Sequence, residues 1–293
     1  MCMKYCVLAF ALFFLISCEK DVDLNLKSSE PLLVVDAQIE DSLPPVVVLT
    51  KSLNVFSTIN AQILANTFVH NADVFVSNGI LTHKLREYPL VLAPGYTAYF
   101  YSNDFLSAST SFVGQVNKGY NLKVISEGKE YSANTFIPTN ALKLDSIWVK
   151  PVPFNTDLTK RLLYFRATDP AGLGNSGRYF TKKNSESFLA GENSVFDDQV
   201  IDGTSFNSQI PLGIDRNNKP ARDSNLLKVG DTITLKWCNI SRTTYNFWNT
   251  WQFAFQSIGN PFAQPNKVLS NVSNGALGAF CGYSVKTKTL IVQ

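Results

Sequence analysis

The chain has 293 residues, 45% of them hydrophobic, 12% aromatic and 17% charged, which excludes a disordered tail and supplies apolar material for more than one core. Its 26 Lys+Arg against 23 Asp+Glu give a formal charge of +3 with no basic run, so no nucleic-acid footprint is present.

In chain order the first element is a leader. Residues 1–17 carry Lys4 and then an apolar run, Val7 to Ile16, of the length of a secretory core; a spanning helix needs roughly 20 residues. The run closes on Leu15-Ile16-Ser17-Cys18, which resembles a bacterial lipobox, so Cys18 is predicted to be the lipidated first residue of the mature chain. Acyl chains on Cys18 would hold the protein to outer-membrane lipid at about 0.8 kcal/mol per buried methylene. Glu19-Lys20-Asp21-Val22-Asp23 begins a tether over 18–30 and resembles the surface-export signals of Bacteroidota lipoproteins, which direct such proteins to the cell exterior; a merely solvated linker is the other reading. No later segment is long and apolar enough to span a bilayer as a helix. After processing, Cys238 and Cys281 remain, readable as a disulfide or as two separate buried thiols.

Residues 31–138 read as a β-sandwich of immunoglobulin-like or transthyretin-like size. Short β-rich runs cover 32–39, 46–53, 72–76, 96–100, 120–126 and 131–137, with turns at Ser77-Asn78-Gly79 and Glu127-Gly128-Lys129. Pro138-Thr139-Asn140 is a natural break. Residues 139–293 read as a second β-rich domain, with strands at 142–149, 162–168, 178–183, 231–239, 278–285 and 289–292. Between them, 191–223 reads as long loops with short strands, anchored by Phe196, Phe206 and Ile210 to Leu212. The fold class is therefore mainly β, with one aromatic amphipathic helix near 241–258. Ser241 caps it, and Phe247, Trp248, Trp251, Ala254, Phe255 and Ile258 share one face. Tyr245 and Phe253 lie off that stripe and must meet another element, a partner or solvent.

No catalytic residues, metal ligands or cofactor are predicted. Gly172-Leu173-Gly174-Asn175-Ser176-Gly177 matches G-x-G-x-x-G, but a strand follows where a dinucleotide site needs a helix, so it reads as a flexible hairpin loop. His70 and His83 lack a third metal ligand and read as ordinary polar residues. Asp197-Asp198 and Asp202 lack calcium-loop spacing and read as a solvated acidic loop. There is no G-x-S-x-G nucleophile elbow. Tyr88, Tyr96, Tyr99 and Tyr101, near Pro89 and Pro94, are candidate contact residues for a partner or planar ligand, as are Tyr245 and Phe253.

The opening D-L-N-L-K-S-S-E-P-L-L-V-V-D from Asp23 to Asp36 is followed, near the end, by Asn260-Pro261-Phe262-Ala263-Gln264-Pro265 and Ser270 to Gly278. With the lipobox, these segments resemble the Bacteroidota outer-membrane lipoproteins of domain-of-unknown-function family 4249. The residues themselves give the closing block a structural role: Phe262 as an inward anchor, Pro261 and Pro265 fixing its approach, and Asn274-Gly275 turning the chain into the last strand. The resemblance implies an accessory partner for a TonB-dependent receptor or other outer-membrane β-barrel, and it brings no catalytic residues. The leading expectation is thus a non-enzymatic, surface-exposed binding lipoprotein in nutrient uptake. The alternatives are a structural or adhesive envelope protein, or an extracytoplasmic hydrolase.

Overall fold

Strict alternation builds the first strand, β1 (Leu33–Glu40), which buries Leu33, Val35, Ala37 and Ile39 and turns Val34, Asp36 and Gln38 to the opposite face. The computed structural model describes residues 30–53, 59–93, 95–216, 218, 223, 225–260, 262–264 and 266–293. The expected lipidation site Cys18, and Pro261 and Pro265, lie outside them. From residue 31 onward the chain is one compact unit.

The first half holds β2 (Val46–Lys51), a one-turn helix α1 (Ala61–Ala65), β3 (Asp73–Ser77), β4 (Thr82–Lys84), β5 (Arg86–Ala93), β6 (Tyr96–Ser102), β7 (Lys118–Ser126) and β8 (Lys129–Ile137). Glu127 and Gly128 take positive φ (51° and 73°) and join β7 to β8 as a tight hairpin. The second half holds β9 (Lys143–Pro151), β10 (Lys160–Thr168), β11 (Ser176–Lys183), β12 (Leu189–Asp197), β13 (Ser205–Gln209), β14 (Leu227–Lys228), β15 (Thr232–Ile240), α2 (Arg242–Gln256) and β16 (Leu277–Ile291).

These strands form three sheets: an eight-stranded sheet in the order β12-β11-β15-β16-β1-β2-β6-β5, a four-stranded sheet β4-β3-β7-β8, and a four-stranded sheet of β13, β10, β14 and β9. The central strand β16 is the joint. Its first part pairs parallel to β1, from Val34↔Leu277 to Glu40↔Tyr283, and its second part pairs antiparallel to β15, from Ile240↔Tyr283 to Thr232↔Ile291. The break at 138/139 separates the two small sheets, while the large sheet runs across both halves of the chain.

Parity along β16 divides the packing. Phe280 enters a core with Val35, Val47, Leu49, Val74, Leu122 and Ile137, between β1-β2-β6 and the β4-β3-β7-β8 sheet. Leu290 packs on a second core, where Trp237, Leu235 and Ile233 of β15 meet Leu163, Phe165 and Leu142. Ala279, Cys281 and Tyr283 point the other way and meet α2 through Phe247. Both small sheets therefore lie on one face of the large sheet, and α2 lies on the other. Phe196, Phe206, Ile210 and Leu212 all pack on the second core.

Ser241 caps α2 in an extended conformation (φ −69°, ψ 158°) and accepts from the Thr244 amide at 3.3 Å. The apolar stripe holds at Phe247, Trp248 and Trp251 but ends early, since Phe255 and Ile258 are exposed. Gln252 takes the buried place instead, its Nε2 donating to Ser194 Oγ at 2.6 Å. Phe262 is 93% exposed, so it is no inward anchor; farther along, Val268 packs beside the α2 cluster and the Leu269 amide donates to Thr250 Oγ1 at 3.0 Å. Asn274 and Gly275 do turn the chain into β16, with φ of 57° and 73°.

The two cysteines are free and buried, not bonded. Cys238 lies opposite Val285, four residues along β16 from Cys281. At about 3.4 Å per residue that separates them by ~13 Å, whereas a disulfide needs Cα atoms within ~7 Å. Burial pushes each thiol up to about 12.

Candidate functional site

Because α2 lies over β11, β12 and β16, the outer face of the large sheet loses its cover at β1. There the sheet carries Val34, Asp36 and Gln38, with Thr50, Val48 and Val46 directly opposite them on β2. Phe100 and Tyr88 continue this face as a cross-strand pair with ring centroids 5.8 Å apart, and Leu90 follows. At the boundary between the covered and open regions is a recess of about 440 Å³, lined among others by Val34, Asp36, Phe247, Trp248, Trp251 and Leu277. Its walls are apolar and aromatic, and Asp36 supplies the one charged group in the lining.

Behind Trp248 sits Arg178 of β11, only 5% exposed. Its guanidinium lies 3.4 Å from the Trp248 ring centroid and 4.6 Å from that of Phe180. Nε donates to Ser194 Oγ at 3.3 Å and Nη1 to Tyr283 Oη at 3.1 Å; Trp248 Nε1 donates to the same hydroxyl at 2.8 Å. This network fixes the indole that walls the recess. Burial holds the Tyr283 hydroxyl well above the ordinary tyrosine range, so it stays protonated.

The edge of the open face is β5. Pro89 sits in this edge strand, where its missing N–H costs no ladder bond on the solvent side. Leu90, Val91 and Leu92 are 48%, 73% and 57% exposed, an apolar edge that natural sheets ordinarily blunt.

The predicted contact residues separate on this frame. Tyr88 and Phe100 lie on the open face; Tyr96 and Tyr99 are half-buried on β6. Tyr101 does not belong with them: it is 3% exposed, donates to Val69 O at 2.9 Å and accepts from the Ala72 amide at 3.2 Å, because its strand position faces the first core. Tyr245 packs beside the α2 cluster with the Arg242 guanidinium 5.0 Å from its ring, while Phe253 is 57% exposed. His83 is buried; its Nε2 accepts from the Asp104 amide at 2.9 Å, so Nδ1 carries the proton toward Thr110 Oγ1.

A second cluster overturns two expectations. The glycine-rich loop at 172–177 is no hairpin, since β10 and β11 belong to different sheets. Nor is the acidic segment solvated throughout: Asp202 is exposed, but Asp198 is 1% exposed and lies beside Asp169, which is 2% exposed. The Gly174 and Asn175 amides donate to Asp198 Oδ2 at 2.7 and 2.6 Å, and the Gly172 amide donates to Asp202 Oδ1 at 2.6 Å. Burial raises the Asp169 carboxyl above its ordinary range, with the charges of Asp198 and Asp202 adding to the effect.

Sequence reasoning missed Asp36, Arg178 and Asp169. Asp36 interrupts an apolar strand, Arg178 opens another beside a glycine run, and Asp169 directly follows the strand before that run; a charged residue in or at the end of a strand pattern was the available signal. No helix among the described residues is long and apolar enough to cross a membrane. No curated protein matches the chain. A family model does match, over residues 19–289, and by that extent the chain belongs to the family described as a domain of unknown function, DUF4249.

Proposed function

We propose that this chain is a lipid-anchored, non-enzymatic binding protein of the outer-membrane surface. It docks its open sheet face and aromatic recess on a membrane-resident β-barrel, a TonB-dependent receptor serving nutrient uptake. The observation that carries the reading is the apolar surface formed by half-buried Val48, Phe100 and Tyr88 and exposed Leu90 beside the Trp248–Trp251 recess. Patches of this kind mark sites where another molecule is bound.

Tether length favours a membrane partner over a freely diffusing one. Twelve residues, 19–30, could span at most about 40 Å at ~3.3–3.6 Å each, and β1, whose outer face is the surface in question, begins at Leu33. A rigid sheet presenting apolar anchors suits capture or gating, and the recess contains a carboxylate but no paired nucleophile and base.

The test is photocrosslinking from a benzophenone amino acid placed at Val48 or Leu90 in cells, with a control at Arg166 on the far small sheet. A discrete adduct with an outer-membrane barrel from the first two positions, absent from the control and lost in Cys18→Ser, supports the proposal. Recovery of only free monomer, from crosslinking and from mild detergent extracts alike, refutes it.

A further inference from the structure

The carboxylates of Asp169, Asp198 and Asp202 each offer an oxygen, and these oxygens lie within 4.8 Å of one another. Asp169 follows β10, while Asp198 and Asp202 lie in the connection between β12 and β13, so the cluster links a strand end of the second small sheet to one of the large sheet. Positive charge is scarce around it. The Arg242 guanidinium makes its close contact with Asp197 Oδ2 at 2.8 Å and reaches Asp198 Oδ1 only at 4.0 Å.

An independent sign of a missing partner is Asp198 Oδ1 itself. Its neighbour Oδ2 takes two amides, but Oδ1 is buried in a residue only 1% exposed and receives no hydrogen bond. Leaving a buried oxygen without a hydrogen bond costs free energy that a bound ligand would recover. Ser176 Oγ, at the start of β11 next to Asn175, is likewise buried without a hydrogen-bond partner.

We propose that Asp169, Asp198 and Asp202 bind a divalent cation of the calcium class. The donors are all hard oxygens, with no imidazole or thiolate among them, which selects against zinc and copper. Coordination habit favours calcium over magnesium: Mg²⁺ keeps several waters and is held by one or two carboxylates, whereas Ca²⁺ readily accepts a set of protein carboxylates. Bound there, the ion neutralises Asp198 Oδ1 and staples the connection after β12 to the end of β10.

The test uses the full mature chain, stripped with EDTA and titrated calorimetrically with CaCl2 and, separately, MgCl2. The expected result is saturable one-to-one Ca²⁺ binding in the range of extracellular modules or tighter, with a Kd of about 1 mM or below. At a hundredfold excess over Kd, Tm should rise by roughly 5 °C. Asp198→Asn should abolish binding. Because Asp198 is buried and that variant could fail to fold, the exposed Asp202→Asn decides the matter: it should keep the apo Tm and bind Ca²⁺ at least about tenfold more weakly, while Asp157→Asn, on a remote turn, binds as the parent does. No Ca²⁺ heat and no Tm shift up to about 10 mM overturns the proposal, as does Asp202→Asn binding as tightly as the parent, or Mg²⁺ binding more tightly than Ca²⁺.

Discussion

Substituting Gly278 by alanine strikes the joint of the large sheet. Gly278 lies in β16 opposite Val35 of β1, with φ of 92°. A Cβ there would sit 2.0 Å from the Val35 carbonyl oxygen, so β1 and β16 would have to part by more than 1 Å. The backbone conformation alone costs an L-residue about 1–2 kcal/mol. Separating the strands weakens ladder hydrogen bonds on either side, at about 1 kcal/mol each. Together Gly278→Ala should lose about 3–4 kcal/mol. Gly275→Ala is the internal control: its φ is 73°, yet an added Cβ meets nothing within 4 Å, so it should lose only about 1 kcal/mol. Urea denaturation of both variants, with the m-value checked for two-state behaviour, gives the difference directly. Equal losses would refute the close approach of β1 and β16 on which this account of the fold rests.

The polar layer under α2 gives a second expectation. Tyr283→Phe strips the acceptor from Arg178 Nη1 and Trp248 Nε1, and should cost about 2 kcal/mol in chemical denaturation; a loss under about 0.5 kcal/mol would show that the network does not hold the indole. Ser241→Ala removes the cap of α2 and should cost about 1 kcal/mol by the same assay. The thiols predict an alkaline dependence. Each folded thiol holds its proton up to about 12 against an ordinary thiol value of 9.0, so the folded state binds more protons than the unfolded one over that window. Their contribution to stability is present below about 9 and falls as pH rises toward 12, at up to ~1.4 kcal/mol per pH unit for each group. Urea midpoints that stay flat from pH 8 to about 10.5 would contradict this, as would rapid labelling of native protein by a thiol reagent at pH 8.

What the sequence revealed follows from the range over which each physical signal acts. Alternation is local, so β1, β7, β8, β10 and β15 were legible to within two residues. Tight-turn chemistry is also local, and Asn274-Gly275 and Glu127-Gly128 behave as their types dictate. Strands were lost where a local cue misled. Pro89 hid β5, which survives because it is an edge, and Gly191-Glu192-Asn193 hid β12 inside a stretch that reads as loop. Lys286-Thr287-Lys288 split β16 in two on paper, although that segment keeps its full pairing with Trp237, Lys236 and Leu235. The site was less legible still. Asp36 gains meaning only from Trp248 and Trp251, which reach it across the sheet, and Asp169 only from Asp198; neither spacing corresponds to a helical or strand period.

The position of β16 also determines how the two halves depend on each other. Phe280, at 0% exposure, completes the first core, and Leu290 and Val292 help to close the second, so the last strand is a shared wall. Val272 and Ala276, just before it, also enter the first core, and Ser273 accepts from the Ser132 amide of β8 at 2.8 Å. Neither half can therefore bury its apolar surface before the chain end arrives, and the parallel pairing with β1 spans nearly the whole described sequence. Contacts of that separation form late, because the loop they close is costly until they form. The open face of β1 and β2 is thus held by a strand added last, and a site on that face exists only once the entire sheet has closed.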